Sequence, residues 1–310
     1  MAPIDPASAR KRNSRPVRRP TKVVKPTLSN VCARERINRL LDDARRAPTV
    51  WVSAPAGAGK TTAVASYLDS RNVPTLWYRI DASDHDIASF FYHLSLMVGT
   101  SGAYEKPLPL FSPEYFADRA AFAARYFREL FARLPYPGVL VFDNFQELDT
   151  TGNDPESALY EALLLGLMQA PIGTTMIFLS REAPPPAFAR LRATEQMALL
   201  DWEAFKLTAE ESVAIVEMRC AGQPVARASA LQLHRKTQGW VAGLLLLSER
   251  YMGAVPDEAT RNEDEMGDAV CGSETQLLFD YLGHEIFRRA SLAEQEFLLK
   301  TAPRCAWRRR

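Results

Sequence analysis

Two rhythms of hydrophobic and polar positions run along the chain. Short, nearly continuous apolar runs recur at 49–54, 75–80, 138–142, 174–179 and 197–200, with the length and character of buried strands. Between them, apolar residues repeat every three or four positions. Ile37, Leu40, Leu41 and Ala44 mark a helix over 34–46, and Val64, Tyr67 and Leu68 mark one from 60 or 61 to about 71. Asp84 offers a cap for a helix over 86–98. After a polar connection at 99–112, a longer helix is expected from 113 or 114 to 134. Asp154-Pro155 opens another, reaching about 168, and a short helix at 186–192 precedes the last strand. Continuously apolar strands separated by helices predict an α/β fold, a parallel sheet with helices on both faces.

The strand runs cease after 201. Thr208-Ala209-Glu210-Glu211 has the form of a capping box opening a helix to about 220, and further helices are expected over 224–236 and 239–251. A smaller all-helical domain therefore follows the sheet. Residues 257–268 are rich in acids and predict a flexible bridge, beyond which helical stripes return at 274–289 and 292–300. Residues 1–28 contain several prolines and little periodicity, so an extended leader is expected there.

Composition changes this picture little. A chain of 310 residues, 47% of them apolar, is long enough for one large α/β domain and a smaller one. A net charge of +1 makes no general case for nucleic acid. Its distribution is uneven, because Arg10, Lys11, Arg12, Arg15, Arg18, Arg19, Lys22 and Lys25 crowd the first segment. That tail reads as a solvated leader or as a contact for polyanions. Cys32, Cys220, Cys271 and Cys305 form no metal-ligand or redox spacing. With no hydrophobic signal core and no apolar run near membrane-spanning length, a soluble cytoplasmic protein without a membrane partner is expected.

The chemistry is concentrated at 54–62, Ala54-Pro55-Ala56-Gly57-Ala58-Gly59-Lys60-Thr61-Thr62. A strand that runs into small residues and then into a helix brings backbone N–H groups and the positive helix end onto one phosphate. Pro55, Ala56, Gly57, Ala58, Gly59 and Thr62 would form the cradle. Lys60 would reach the β- and γ-phosphates of ATP or ADP, and Thr61 would ligate the accompanying Mg2+. Ala54 stands where this motif ordinarily has its first glycine. Asp143, after the apolar strand at 138–142, is the second candidate on the metal side. Its neighbour is Asn144, which can orient water but makes a poor base; Glu147 and Asp149 are substitutes for that role. Arg181, just past another strand end, is placed to sense the γ-phosphate. Asp143, Asn144 and Arg181 are thus the residues expected at the reacting phosphate, and slow hydrolysis is easier to justify than rapid turnover. Trp240 is expected in the core, while Asp81 and Asp84 border the mouth.

These residues, with Thr21-Lys22-Val23, Pro26, Arg34, Ser180-Arg181, Pro184-Pro185, Leu207 to Glu211, Thr237 to Leu244, Asp280-Tyr281-Leu282, Glu285 and Phe297 to Leu299, stand in an order that resembles the N-terminal portion of MalT-like, LuxR-family transcriptional regulators. Those belong to the STAND, AAA-like class of P-loop NTPases. The resemblance implies a switch: ATP stabilises a signalling form, ADP a resting form, and the helical domain closes over or releases the nucleotide. It gives Lys60, Thr61 and Asp143 the phosphate and magnesium positions, Arg181 the sensing position, and the segment around Val31 to Arg34 a set of backbone contacts to adenine. It further implies a flexible basic tail over 1–28, a P-loop nucleotide-binding domain over 29–202 and a helical lid over 203–256. An acidic linker at 257–272 and an incomplete winged-helix-like segment at 273–310 would complete the chain. Implied partners are a second copy in the ATP state and an effector protein or small-molecule inducer, with DNA reached only through a C-terminal domain not visible here. Two other readings remain: an active P-loop ATPase, and a partner-binding scaffold with a degenerate nucleotide site.

Overall fold

The computed structural model describes residues 20–98, 106–148, 158–220, 226–253 and 295–296. Five strands, β1 (Thr49–Ser53), β2 (Thr75–Arg79), β3 (Val139–Asp143), β4 (Thr175–Ser180) and β5 (Met197–Leu200), pair in parallel in the order β2-β3-β4-β1-β5. Alternation along each strand sends its side chains to two cores. Val50, Val52, Trp77, Val141, Ile177 and Leu179 belong to one, with Ile37 and Leu41 of α1 (Glu35–Ala44) and Val64 and Leu68 of α2 (Lys60–Ser70). Trp51, Tyr78, Leu140, Phe142, Met176 and Phe178 belong to the other. There α3 (Ile87–Val98), α4 (Arg119–Phe131) and α5 (Ala158–Gln169) supply Phe90, Phe91, Phe122, Phe127 and Leu163. One face is mostly aliphatic. The other is a continuous run of aromatic contacts, Phe142 stacking on Phe178 at 5.4 Å between ring centres. The expected parallel sheet with helices on both faces is therefore present.

Strand order matters for the site. Because β4 lies between β1 and β3, the loop that leaves β1 and the acid that ends β3 are one strand apart, with Ser180 between them. After the short helices α6 (Ala189–Ala193) and α7 (Trp202–Phe205), the helices α8 (Ala209–Arg219), α9 (Arg227–Thr237) and α10 (Val241–Gly253) enclose a smaller core of Leu207, Val213, Val216, Leu233 and Leu244. The all-helical region thus follows the sheet as expected. Thr208 and Glu211 form both halves of the capping box that opens α8.

Several local expectations are corrected. Residues 20–28 are not a loose extended leader. Thr21–Val23 makes a 3-10 turn, Val23 is buried, and Lys22 Nζ reaches Asp81 at 2.7 Å and Asp84 at 2.8 Å. Lys25 pairs with Asp69. The cluster of arginines upstream lies outside the described residues. Asp84 does not cap α3: it is fully buried, accepts from the Tyr78 hydroxyl at 2.6 Å, and closes a capping box whose N-cap is Asp81. Asp86 takes the α3 role, accepting from the Ser89 amide at 2.9 Å. The long helix expected up to 134 is interrupted, because Asp118 leaves helical geometry, ends a 3-10 turn (Pro113–Ala117) and caps α4 through the Ala121 amide. A short acceptor side chain inside an amphipathic run outcompetes continuation of the helix there. The expected bridge at 257–272, the helix openings at Asp154-Pro155 and 224, Asp149, Cys271 and Cys305 lie outside the described residues, as does the winged-helix-like segment apart from 295–296. Cys32 and Cys220 are free thiols. No described helix is long and apolar enough to cross a membrane.

Candidate functional site

The loop after β1 makes its turn on two glycines in left-handed conformation, Gly57 (φ +70°) and Gly59 (φ +82°), where a side chain would strain the backbone. Ala54 has no such requirement. It directly follows β1, its amide bonded to the Ser180 carbonyl at 3.2 Å and its φ not positive, so alanine serves there in place of glycine. Gly59 hands over directly to α2, which begins at Lys60. Among the described residues no acceptor meets the N–H groups of Gly57, Gly59, Lys60 or Thr61. Donors left unmet at a helix start are the usual means of holding an anion. The Lys60 ammonium folds back onto the loop, donating to the Ala54 carbonyl and to that of Pro55 at 3.1 Å.

Thr61 and Asp143 meet. The Thr61 hydroxyl is 3.1 Å from each carboxylate oxygen of Asp143, which is buried to 1% exposure. Burial pushes the Asp143 carboxyl up, against the opposing effects of the Thr61 hydroxyl, Arg79, the Asn144 amide and Lys60. Asn144 itself sits at φ +61° and its N–H donates to Asp143 at 3.0 Å. Asparagine tolerates that backbone region better than glutamate does, as aspartate also would. Glu147 lies one turn on, in the 3-10 segment Phe145–Leu148.

Arg181 follows β4, its amide held by the Gln146 side-chain oxygen at 3.2 Å. Its charge is felt at Lys60, whose amine is lowered to about 8, chiefly by burial and then by Arg181, with Asp143 opposing. Arg79 was not singled out from the sequence. It pairs in register with Asp143, and parallel register places both side chains on the face that carries α2. The carboxyl ends of β2 and β3 present Arg79 and Asp143, and the segments leaving β4 and β1 bring Arg181 and Lys60 into the same neighbourhood.

The helical region closes the other wall. The Trp240 indole N–H donates to the Ala56 carbonyl at 2.9 Å, and the Ala242 amide donates to the Gly57 carbonyl at 3.0 Å. Trp240 is half-buried and tied to the loop, not a core residue as expected; nothing in local periodicity signals a contact across 184 positions. Arg34 donates to the Phe205 carbonyl at 2.7 Å and to Glu211 at 3.1 Å, and Arg36 joins it on Glu211 at 3.2 Å. Glu211 thus caps α8 and ties it to α1. Between these contacts and the loop lies a cavity of about 330 Å³ bordered by Val31, Arg34, Gly59, Thr62, Met218 and Val241. The Arg34 Nε on its border is buried without a partner. The segment 31–34 expected beside a base therefore does line a cavity adjoining the phosphate loop. A larger cavity of about 770 Å³ opens beside Pro48, Thr174 and Thr175, at the opposite ends of the strands, and none of the candidate residues borders it.

Unmet amides at a helix start, a cation beside them, a hydroxyl facing a carboxylate and an adjoining half-apolar cavity fit a nucleotide with its divalent ion. Thr61 and Asp143 would hold the metal; among the described residues there is no group of three or more His, Cys, Asp or Glu that competes for it.

No family model matches the chain. It is 28% identical over 287 residues to the HTH-type transcriptional regulator MalT of Yersinia pestis (strain Pestoides F), an alignment covering 91% of this chain and 30% of that protein. The protein of the same name from Cronobacter sakazakii (strain ATCC BAA-894) is 26% identical over 289 residues, with the same coverage. The chain thus spans about a third of the length of these curated relatives. Among solved structures, a Walker-type ATPase of Pyrococcus abyssi superposes with a TM-score of 0.54 at 16% identity, covering 88% of this chain and 77% of that one. The match to MalT-like regulators is distant, and the fold is that of P-loop NTPases with a helical extension.

Proposed function

We propose that the chain is an ATP- and ADP-binding regulatory switch module of a transcriptional regulator, with slow ATP hydrolysis. The observation that carries this reading is the approach of Thr61 to both oxygens of Asp143, on the same loop that holds Lys60 and four unmet amides. Phosphates would lie on the loop N–H groups, Lys60 would neutralise their charge, and Mg2+ would sit between Thr61 and Asp143. Arg181 would read the terminal phosphate. Residues 29–202 would form the nucleotide-binding unit and 203–256 a helical lid, with the base beside 31–34. The printed name of the relatives, a helix-turn-helix transcriptional regulator, supports the regulatory role. DNA would be reached through a C-terminal domain outside this sequence. Self-association in the ATP form and an inducer, protein or small molecule, complete the proposal.

Slow turnover is favoured because Asn144 occupies the place next to Asp143 where a carboxylate base would serve, and its left-handed backbone suits asparagine. Lys60→Ala tests the reading. Calorimetric titration should show Mg–ATP affinity falling by about a hundredfold or more, the effect of removing a charge-assisted phosphate contact. Unchanged affinity in a folded variant would overturn it and return the chain to a scaffold with a degenerate site.

A further inference from the structure

The phosphate loop closes as a turn over Pro55 to Ala58, the Ala58 amide donating to the Pro55 carbonyl at 3.3 Å. Its third residue, Gly57, has φ +70°, the mark of the type II form. Type I and type II turns differ chiefly by a half-rotation of the central peptide, here Ala56–Gly57. Glycine at the third position makes that flip cheap, since both backbone regions are open to it. A trans peptide is a rigid plane with its C=O and N–H on opposite sides. Whichever way the Ala56 carbonyl points, the Gly57 N–H points the other way.

We propose that Trp240 is a positioning residue for the phosphate cradle. Its indole holds the Ala56 carbonyl toward the helical region and so keeps the Gly57 N–H free and turned to the other side. The Ala242 amide fixes the next carbonyl, that of Gly57, in the same way. Val241 lies between them, its side chain 3.4 Å from where a Cβ on Gly59 would stand. The start of α10 therefore selects the anion-binding form of a loop nearly two hundred residues away. This rests on the nucleotide reading above and adds its regulation: helical docking and phosphate affinity are one equilibrium. Whatever draws α10 off the loop lets the peptide flip and weakens phosphate binding. By reciprocity, a bound phosphate chain tightens the docking of α10.

Trp240→Phe keeps a ring and removes the donor. Magnesium tripolyphosphate and ATP should each bind about fivefold more weakly to this variant, the effect of one lost hydrogen bond, while adenosine affinity stays unchanged. Ala242→Pro removes the second donor within the first turn of a helix, where proline is tolerated, and should act in the same direction. In the unaltered protein, saturating tripolyphosphate should slow hydrogen exchange at the Ala242 amide. Wild-type tripolyphosphate affinity in Trp240→Phe overturns the positioning role, as does an unchanged Ala242 exchange rate. A loss that extends equally to adenosine also overturns it, since that is general loosening. If the unaltered protein binds neither tripolyphosphate nor ATP, the nucleotide reading itself has failed.

Discussion

The two walls of the site differ in kind. On the sheet side, Arg79 and Asp143 are charges at the carboxyl ends of β2 and β3, while Arg181 directly follows β4 and Lys60 opens the helix after the β1 loop. Strand register sets Arg79 beside Asp143, and burial lowers the Lys60 amine and raises the Asp143 carboxyl. On the helical side, the loop is held by two neutral hydrogen bonds from Trp240 and Ala242, and a partly buried ion-pair corner joins Arg34 and Arg36 to Glu211. On the proposed reading, charge on the sheet side sets what can bind, and neutral contacts from a separate helical core set whether the loop is ready. Such a division suits a switch better than a catalyst of rapid turnover, because readiness can change while the charged groups stay in place.

Altering one wall at a time tests that division. The largest effect in this comparison is expected on the sheet side, from Asp143→Asn. Asparagine still accepts from Thr61 but no longer attracts a divalent ion, so the gain in ATP affinity on adding Mg2+ should shrink by about a hundredfold in calorimetric titrations. The same change should stabilise the nucleotide-free protein. Burial raises the Asp143 carboxyl. A raised carboxyl is bound to more protons in the folded chain, so its contribution to stability is present below the unfolded value and lost as pH rises through the folded one. Asparagine does not titrate and removes that loss. The melting temperature should therefore rise at neutral and higher pH, and the difference should narrow as pH falls. A lower melting temperature, with magnesium dependence intact, would place Asp143 in a structural role.

On the helical side, Glu211→Ala leaves two guanidinium groups facing a missing partner, one of them with a side chain only 8% exposed. Loss of one member of a largely buried pair, together with half of a capping box, should cost about 2–3 kcal/mol in denaturant unfolding. Tripolyphosphate affinity should fall less than in Asp143→Asn. If it falls more, the helical wall contributes to the grip directly and the division drawn above is wrong.

How much of this was legible in the sequence follows from distance along the chain. That Thr61 and Asp143 meet could be read because Asp143 ends one apolar run and Thr61 lies in the first turn of the helix entered by the loop after another, and parallel strands bring such ends to one edge. The two-faced sheet was legible for the same reason: a run such as Val50-Trp51-Val52 is apolar at every position, so both of its faces are covered. Arg79 was overlooked although it ends a strand too, because nothing local distinguishes it from a solvated arginine. Trp240 was expected in the core because an aromatic at the start of a helical stripe ordinarily goes there, and its bond to Ala56 has no local signal. The same holds for Asp84, whose burial depends on Lys22 more than sixty positions away. Asn144 is the instructive case. Its identity can be read as a missing base, but its left-handed backbone appears only in three dimensions.

The smallest expected effect is a fraction of a proton, and it separates the walls most sharply. Burial and Arg181 lower the Lys60 amine to about 8, below the ordinary lysine value of about 10.4. A lowered amine binds fewer protons in the folded chain between those two values, so stability from this group rises with pH across that window and is unaffected by pH below it. A triphosphate reverses the situation by stabilising the ammonium. Binding at pH 8.5 should therefore take up about 0.7 proton per site, and binding at pH 6.5 close to none from this group. Calorimetry in two buffers of different ionisation enthalpy measures both. Arg181→Ala removes a like charge, raises the Lys60 amine and should shrink the uptake at pH 8.5, whereas Trp240→Phe should weaken binding and leave the uptake unchanged. Equal uptake at the two pH values would mean that Lys60 is fully charged in the empty site, and the sheet wall would then be no more perturbed electrically than the helical one.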